Sequence, residues 1–246
     1  MARVIVRSAE CGDFKSCPTI ERVEGGFDLV GYRRDDPSLS PDEARIHWPD
    51  SAQMLPEVTD LHVRPTDLDD YFEQRRRTPG DLLRVQTLDR YNVASDEGKY
   101  ECYLNGEPKP MTPFLEGWYQ ELRDDAAVGR VWRNVHVVKL PLTDYLRYQF
   151  EWGYAYNVRA GQDVRVVDTQ THPEAELFFD PGDFYVFEHN EILHMRYDKE
   201  GHFLGGVGAG ASSTRGYVAL AELAWRLATP FDEWWAAHPE FHRDRL

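Results

Sequence analysis

Two charged side chains interrupt a helix that is otherwise apolar. In the stretch LTDYLRYQFEWGYAYNV, residues 142–158, Leu142, Leu146, Phe150 and Gly153 recur on one helical face, and Tyr145, Tyr148 and Trp152 on another. A helix that is apolar on most of its surface is buried on most of its surface. Arg147 and Glu151 lie within it at i, i+4, where a guanidinium and a carboxylate can meet on one side. Burying such a pair is costly unless both groups are paired and hydrogen-bonded. Two readings are open. Either the pair fixes the helix against a sheet, or it lines a cleft beside Tyr145 as an anion clamp with an acid or base next to it.

Other constellations carry less. Asp163, Arg165 and Asp168 flank the run VRVV, and strand ends of an open sheet are where ligands often sit. They are equally an ordinary solvated rim. His136, His189, His194 and His202 fall close together, with Glu188 and Glu191 beside His189. No HxH, HExxH or HxxxE pattern supplies a third converging ligand, so no metal centre and no cofactor is assigned. For proton transfer the candidates are Glu151 and His194, with Arg147 or Arg196 holding an anionic group. GGVGAG, residues 205–210, lacks the lysine of a phosphate loop and opens no helix directly after a strand, so it reads as a linker. Ser212, Ser213 and Thr214 read as the cap of the next helix. There is no G-x-S-x-G elbow for a nucleophile.

The elements that must position these groups can be read in order. ARVIVRS alternates as a strand, and residues 20–23 and 27–32 form a hairpin around Gly25 and Gly26. Residues 44–48 give one more short strand. Residues 1–58 are therefore a small β-rich module, near the size at which a core is marginal. Residues 64–246 form the second unit. Its helices cover residues 68–77, a run opened by Thr112 and Pro113, the 143–158 stretch, and two near the C-terminus. Its strands cover residues 82–88, 131–140 and 164–167. Residues 169–176 read as a polar loop and 177–179 as a brief strand. An antiparallel meander then runs through 184–187, 192–197 and 203–207. The fold class expected is α+β, a mixed β-sheet flanked by helices.

Bulk composition bounds the function. A 246-residue chain that is 41% hydrophobic and 13% aromatic can build a core. The balance of 43 Asp and Glu against 28 Lys and Arg gives a net charge of -15, which opposes tracking along a phosphate backbone, despite the local run Arg75–Arg77. Cys11 and Cys17 are spaced too widely for a CxxC motif and Cys102 has no partner in sequence, so a reducing cytoplasm is expected. A Cys11–Cys17 disulfide stays open as an alternative. The N-terminus lacks the apolar run of a signal peptide, and no segment is long and apolar enough to span a bilayer.

The motifs LTDYLRYQFEWGYAYNVRAGQDVRVVD, GDFYVFE and LHMRYDKEGHFLGG, in that order, resemble an actinobacterial family of unknown function over residues 64–235. The opening MARVIVRSAECGDFKSCPTIE is similar to short proteins of the same bacteria. The positions matching the family pattern are Tyr145, Arg147, Glu151, Asn157, Gly161, Asp163, Arg165, Asp183, Phe187 and Asp198. The resemblance implies a regulatory or partner-binding role, with a helix-turn-helix regulator among the partners it suggests. The order of elements also looks like half of a phospholipase D-like domain. That superfamily's His-x-Lys is absent: His194, Met195 and Arg196 stand about where it would fall, which argues against a phosphodiesterase. The expectation is a soluble regulatory or interaction protein that binds a protein partner or a small anionic ligand through Tyr145, Arg147, Glu151, Asp163, Arg165 and Arg196. The alternative is a transferase or hydrolase acting on an anionic or phosphate-containing substrate.

Overall fold

The computed structural model describes four strands before residue 50 and residues 62–243, apart from 78–79, 81, 94–95, 97 and 188–190. Cys11, Cys17, Glu188, His189 and the side chains of the Arg75–Arg77 run lie outside the described residues. Strands β1 (Arg3–Arg7), β2 (Thr19–Val23), β3 (Gly26–Gly31) and β4 (Ala44–Pro49) form an antiparallel sheet in sequence order. Val23 stands opposite Gly26, as a hairpin at the glycine pair requires.

The larger sheet is mixed. Its strands are β5 (His62–Val63), β6 (Leu82–Gln86), β7 (Trp132–Val138), β8 (Asp163–Asp168), β9 (Phe184–Val186), β10 (Ile192–Tyr197), β11 (Phe203–Gly208) and β12 (Thr229–Pro230). Their order across the sheet is β12-β8-β7-β6-β9-β10-β11-β5. β6, β7 and β8 run parallel, and β9, β10 and β11 form the expected antiparallel meander. The helices are α1 (Leu68–Arg77), α2 (Lys99–Leu104), α3 (Pro113–Ala127), α4 (Asp144–Tyr148), α5 (Ala155–Arg159), α6 (Ala211–Leu227) and α7 (Phe231–Ala237). The architecture is α+β.

Strand alternation divides the sheet into two faces. Leu83, Val85, Val135, Val137, Val167, Phe184 and Ile192 pack with Tyr217, Leu220 and Ala224 of α6 on one face. On the other, Val138, Val164 and Val166 pack with Leu146 and Phe150 and with Phe231 and Trp234 of α7. Further along that second face, Tyr185, Leu193 and Met195 meet Phe72 of α1.

The 142–158 stretch is one continuous helix whose middle, Gln149–Tyr154, is π-helical. An i to i+5 turn inserts one residue into the helical count, which rotates the side chains beyond it about the axis. Leu142, Leu146 and Phe150 hold the core face together, joined by Tyr154, while Gly153 turns toward a cavity instead of sharing their face. A 3.6-residue period cannot show that rotation.

Four local expectations are corrected. GGVGAG is no linker, because its first part is strand β11. A Cβ on Gly206 would meet Leu193 Cδ1 at 2.7 Å, so glycine lets β11 lie close over β10's side chain. Ser212–Thr214 lie inside α6 rather than capping it; Gly210 precedes the helix and the Thr214 hydroxyl donates to its carbonyl at 3.0 Å. Residues 169–172 are a loop as expected, but the rest is neither loop nor strand: Pro173–Phe179 is a 3-10 helix that buries Ala175, Leu177 and Phe178. Lys99–Leu104, for which the sequence predicts no element, is a helix with Lys99 and Tyr103 buried.

Candidate functional site

A cavity of about 780 Å³ opens on the sheet face away from α6, between β6, the α4–α5 helix, α3 and α1. That volume lies in the range of small-molecule sites. Its walls are rings: Tyr91, Trp118, Tyr145, Tyr148, Trp152 and Tyr197 among them. Tyr145, Tyr148 and Trp152 form its helix wall because they recur at three- and four-residue spacing on one side of the α4–π segment. Tyr148 and Trp152 meet Tyr103 edge to face and Tyr145 meets Tyr91 at a tilt, with Tyr145–Tyr148 centroids 5.7 Å apart and Tyr148–Trp152 centroids 5.9 Å apart.

The polar groups are few and specific. Arg84 and Gln86 are alternate residues of β6 and so face the same side. The Arg84 guanidinium lies 5.4 Å from the Tyr91 ring centroid and 5.1 Å from that of Tyr185. It donates to Asp183 at 3.4 Å and to the Tyr197 hydroxyl at 3.4 Å. Its Nε is buried and has no partner. Gln86 is 2% exposed, and its carboxamide lies 2.8 Å from the Tyr154 hydroxyl. On the helix wall, Gln149 Oε1 is a second buried atom without a partner. A buried polar group lacking a hydrogen bond costs about 1–3 kcal/mol. Both belong to residues of the cavity lining.

Asp183, just before β9, holds this floor in place. Its carboxylate is buried and accepts from the Tyr91 hydroxyl at 2.6 Å, the Thr87 amide at 2.8 Å and the Thr87 hydroxyl at 3.2 Å, besides Arg84. At the other wall, Lys109 donates to the Tyr119 hydroxyl at 2.7 Å and to the Trp152 carbonyl, with its Nζ 3.4 Å from the Tyr156 ring centroid. Burial, then the nearby cations Lys99 and Arg159, bring its pKa down to about 7. Asp96 accepts from Tyr145 at 3.1 Å and Tyr148 at 3.2 Å; burial raises its pKa against the pull of those two bonds. His136 is buried behind this floor, between the Leu88 carbonyl at 3.1 Å and the Tyr154 hydroxyl at 2.8 Å. Burial drops its pKa to about 3, so it is a neutral core histidine.

Of the residues singled out in the sequence, Tyr145 lines the cavity. Arg147 and Glu151 point elsewhere and do not bridge to each other among the described residues. Arg147 donates to the Phe241 carbonyl at 2.9 Å and the His242 carbonyl at 3.4 Å. Glu151 accepts from the Tyr103 hydroxyl at 3.2 Å and the Arg243 amide at 3.1 Å. Together they fasten the C-terminal segment to the helix. Asp163 and Arg165 lie on the α6 face of β8, where Arg165 sits 3.5 Å from Asp163 and 3.9 Å from the Trp225 ring centroid. His194 faces Tyr217 of α6, its ring centroid 6.3 Å from that ring, and its Nε2 donates to the Pro181 carbonyl at 2.7 Å. Arg196 shares that face of β10 and is exposed. These groups do not converge on one point. Asp168 is buried and accepts from Trp234 Nε1 at 3.0 Å, as a structural anchor for α7.

Reasoning from the sequence missed Arg84, Gln86 and Lys109. One signal was available for the first two: RVQ alternates two long polar side chains into a strand bounded by leucines, which places them on one face. Asp198, Glu200 and His202 offer ligand atoms within 4.8 Å of one another. Their geometry is that of the β10–β11 turn, where Asp198 accepts from the Glu200 and His202 amides at 2.9 Å each and from His202 Nδ1 at 2.9 Å.

The fold and this cavity define an α+β protein with a ring-lined, small-molecule-sized site. The chain belongs to the family described as "Domain of unknown function (DUF6879)", whose model matches residues 66–236 and so takes in every element around the cavity. No curated protein matches the chain. No helix among the described residues is long and apolar enough to cross a membrane.

Proposed function

We propose that the protein is a receptor for a small ligand that joins an unsaturated ring to an anionic group. The ring would lie among Tyr91, Tyr145, Tyr148 and Trp152, and the anion would meet the Arg84 guanidinium. The observation that carries the reading is Arg84 itself: a guanidinium in the cavity lining whose side chain stays 24% exposed, although Asp183 and Tyr197 already hold it. Asp96, on the same lining, is engaged by two tyrosines.

A loaded receptor of this kind suits a regulatory role in an actinobacterial cytoplasm, with a helix-turn-helix regulator as the sort of partner that would read the bound state. A degenerate phospholipase D-like ancestry accommodates an anion site without a phosphodiesterase centre. Thermal unfolding with a panel of aromatic carboxylates and their matched carboxamides tests the reading. Binding to the native state alone raises the midpoint with ligand concentration. Carboxylates should raise it and carboxamides should not. Equal shifts for both, or none for any carboxylate, would refute the anion site.

A further inference from the structure

Lys109 is an unusual lysine for a chain with so many carboxylates. Among the described residues its ammonium has no carboxylate partner. It is held by the Tyr119 hydroxyl and the Trp152 carbonyl, both from residues of the cavity wall, and by the face of Tyr156. The sequence fixes it there tightly: Pro108 and Pro110 flank it, and Thr112 with Pro113 begins α3 directly after. Lys109 is half-buried near other cations, a setting in which an amine gains nucleophilicity toward carbonyl carbon. The Tyr119 hydroxyl at 2.7 Å is placed to pass a proton to and from the reacting oxygen.

We propose that Lys109 captures an aromatic aldehyde in this cavity as an imine. The idea rests on the ring-and-anion reading above and specifies the ligand further: an aldehyde carbon near Lys109 and an acidic group toward Arg84. The Nζ lone pair forms a bond to the carbonyl carbon, and the carbonyl π pair becomes a hydroxyl that takes a proton through Tyr119. The carbinolamine then loses that hydroxyl with one proton as water, leaving a C=N bond. Nothing is oxidised or reduced, and the balance is one amine plus one aldehyde to one imine plus one water. The lowered pKa of Lys109 agrees with the geometry, since near pH 7 about half of the amine is free to react.

The test uses the full chain, para-carboxybenzaldehyde and borohydride, with the reduced adduct located by peptide mapping. Lys15, Lys139 and Lys199 are internal controls. Lys109 should be labelled on the order of tenfold faster than their mean, in saturable fashion. Benzoate should protect it. Lys109→Met should lose that adduct and keep the background at the other lysines. Labelling of Lys109 no faster than the controls would overturn the proposal. Benzoate binding, followed by thermal unfolding, separates the two claims. If benzoate stabilises the protein but Lys109 stays unlabelled, imine capture fails and the receptor reading stands. If benzoate neither stabilises nor protects, both fail.

Discussion

The Arg84 guanidinium stands 3.4 Å from the Asp183 carboxylate, while the Tyr91 hydroxyl reaches the same carboxylate at 2.6 Å. Asp183 is thus satisfied mainly by Tyr91 and Thr87, and Arg84 is its most distant partner. The pair neutralises a buried charge without consuming the guanidinium. Arg84 is held in place, sandwiched between rings, and still has a donor to give.

Asp183 should be the most sensitive carboxylate in the protein. Removing one member of a buried charged pair leaves the other uncompensated, at about 3–5 kcal/mol. Asp183→Ala is expected to lose stability on that scale in urea denaturation, with Asp183→Asn losing less because the carboxamide can still accept from Tyr91. Glu200→Ala, on an exposed turn, should stay within about 0.5 kcal/mol of the parent. Similar effects for Asp183→Ala and Glu200→Ala would remove Asp183 as the anchor of the floor.

Arg147 and Glu151 should matter for stability and not for ligand. Arg147→Ala breaks two charge-assisted bonds to backbone carbonyls, worth about 1.5–3 kcal/mol each when made to a charged group and less at this partial exposure. The affinity for an aromatic carboxylate should hold. Impaired affinity at unchanged stability would return these two residues to the binding site.

Gly201 should tolerate alanine poorly. It has φ +85°, and a Cβ there would lie 2.6 Å from the Arg90 carbonyl oxygen. The contact is backbone on backbone, where Asn92 donates to the Gly201 carbonyl at 2.9 Å. That junction ties the β10–β11 turn to the segment carrying Tyr91. Gly201→Ala is expected to cost roughly 1–3 kcal/mol from the left-handed conformation, with more from the clash. Gly129→Ala, at φ +79° in open space, isolates the conformational part. Equal losses for the two would show that the Arg90 contact carries no weight.

Lys109 sets a pH dependence whose sign is fixed. Its folded pKa, about 7, lies below its ordinary 10.5. Between those values the unfolded chain binds more protons than the folded one, so stability rises with pH across the window and is lost as pH falls toward 7. Wild type minus Lys109→Met should show this rise between pH 7 and 9 in denaturant titrations. A flat difference would mean that the amine is freely solvated.

His136 sets another on the acid side. Its folded pKa, about 3, lies below the usual 6.5, so the unfolded chain again binds the extra proton between them. Stability should therefore fall as pH drops from 6.5 toward 3. The slope should weaken in His136→Gln, read by thermal unfolding across that range.

Much of the fold was legible because periodicity reports burial. The meander of β9 to β11, the α3 start at Thr112, and the strand at VHVV all follow from alternation, capping and turn residues. The cavity's tyrosine wall was visible as the Tyr145, Tyr148, Trp152 stripe. The charges on that same helix pointed to a different surface, because spacing shows that Arg147 and Glu151 share a side but not which residues cover it. Their cover comes from Phe241–Arg243, some ninety residues on. Arg84 and Asp183 are likewise 99 residues apart and joined only by the β6–β9 pairing. The π segment is a tertiary adjustment with no period of its own, and it moved Gly153 to a face that the helical count denied it.

The receptor claim is tested most directly by titrating an aromatic carboxylate against the tryptophan fluorescence of the cavity in wild type and Arg84→Gln. Trp118, Trp132 and Trp152 line the site, so an occupant changes their emission. A charge-assisted bond of about 1.5–3 kcal/mol corresponds to roughly a tenfold or greater loss of affinity. Saturable binding to the wild type is predicted, with at least that loss in a folded Arg84→Gln. Undiminished binding to the folded variant would contradict a receptor built around Arg84.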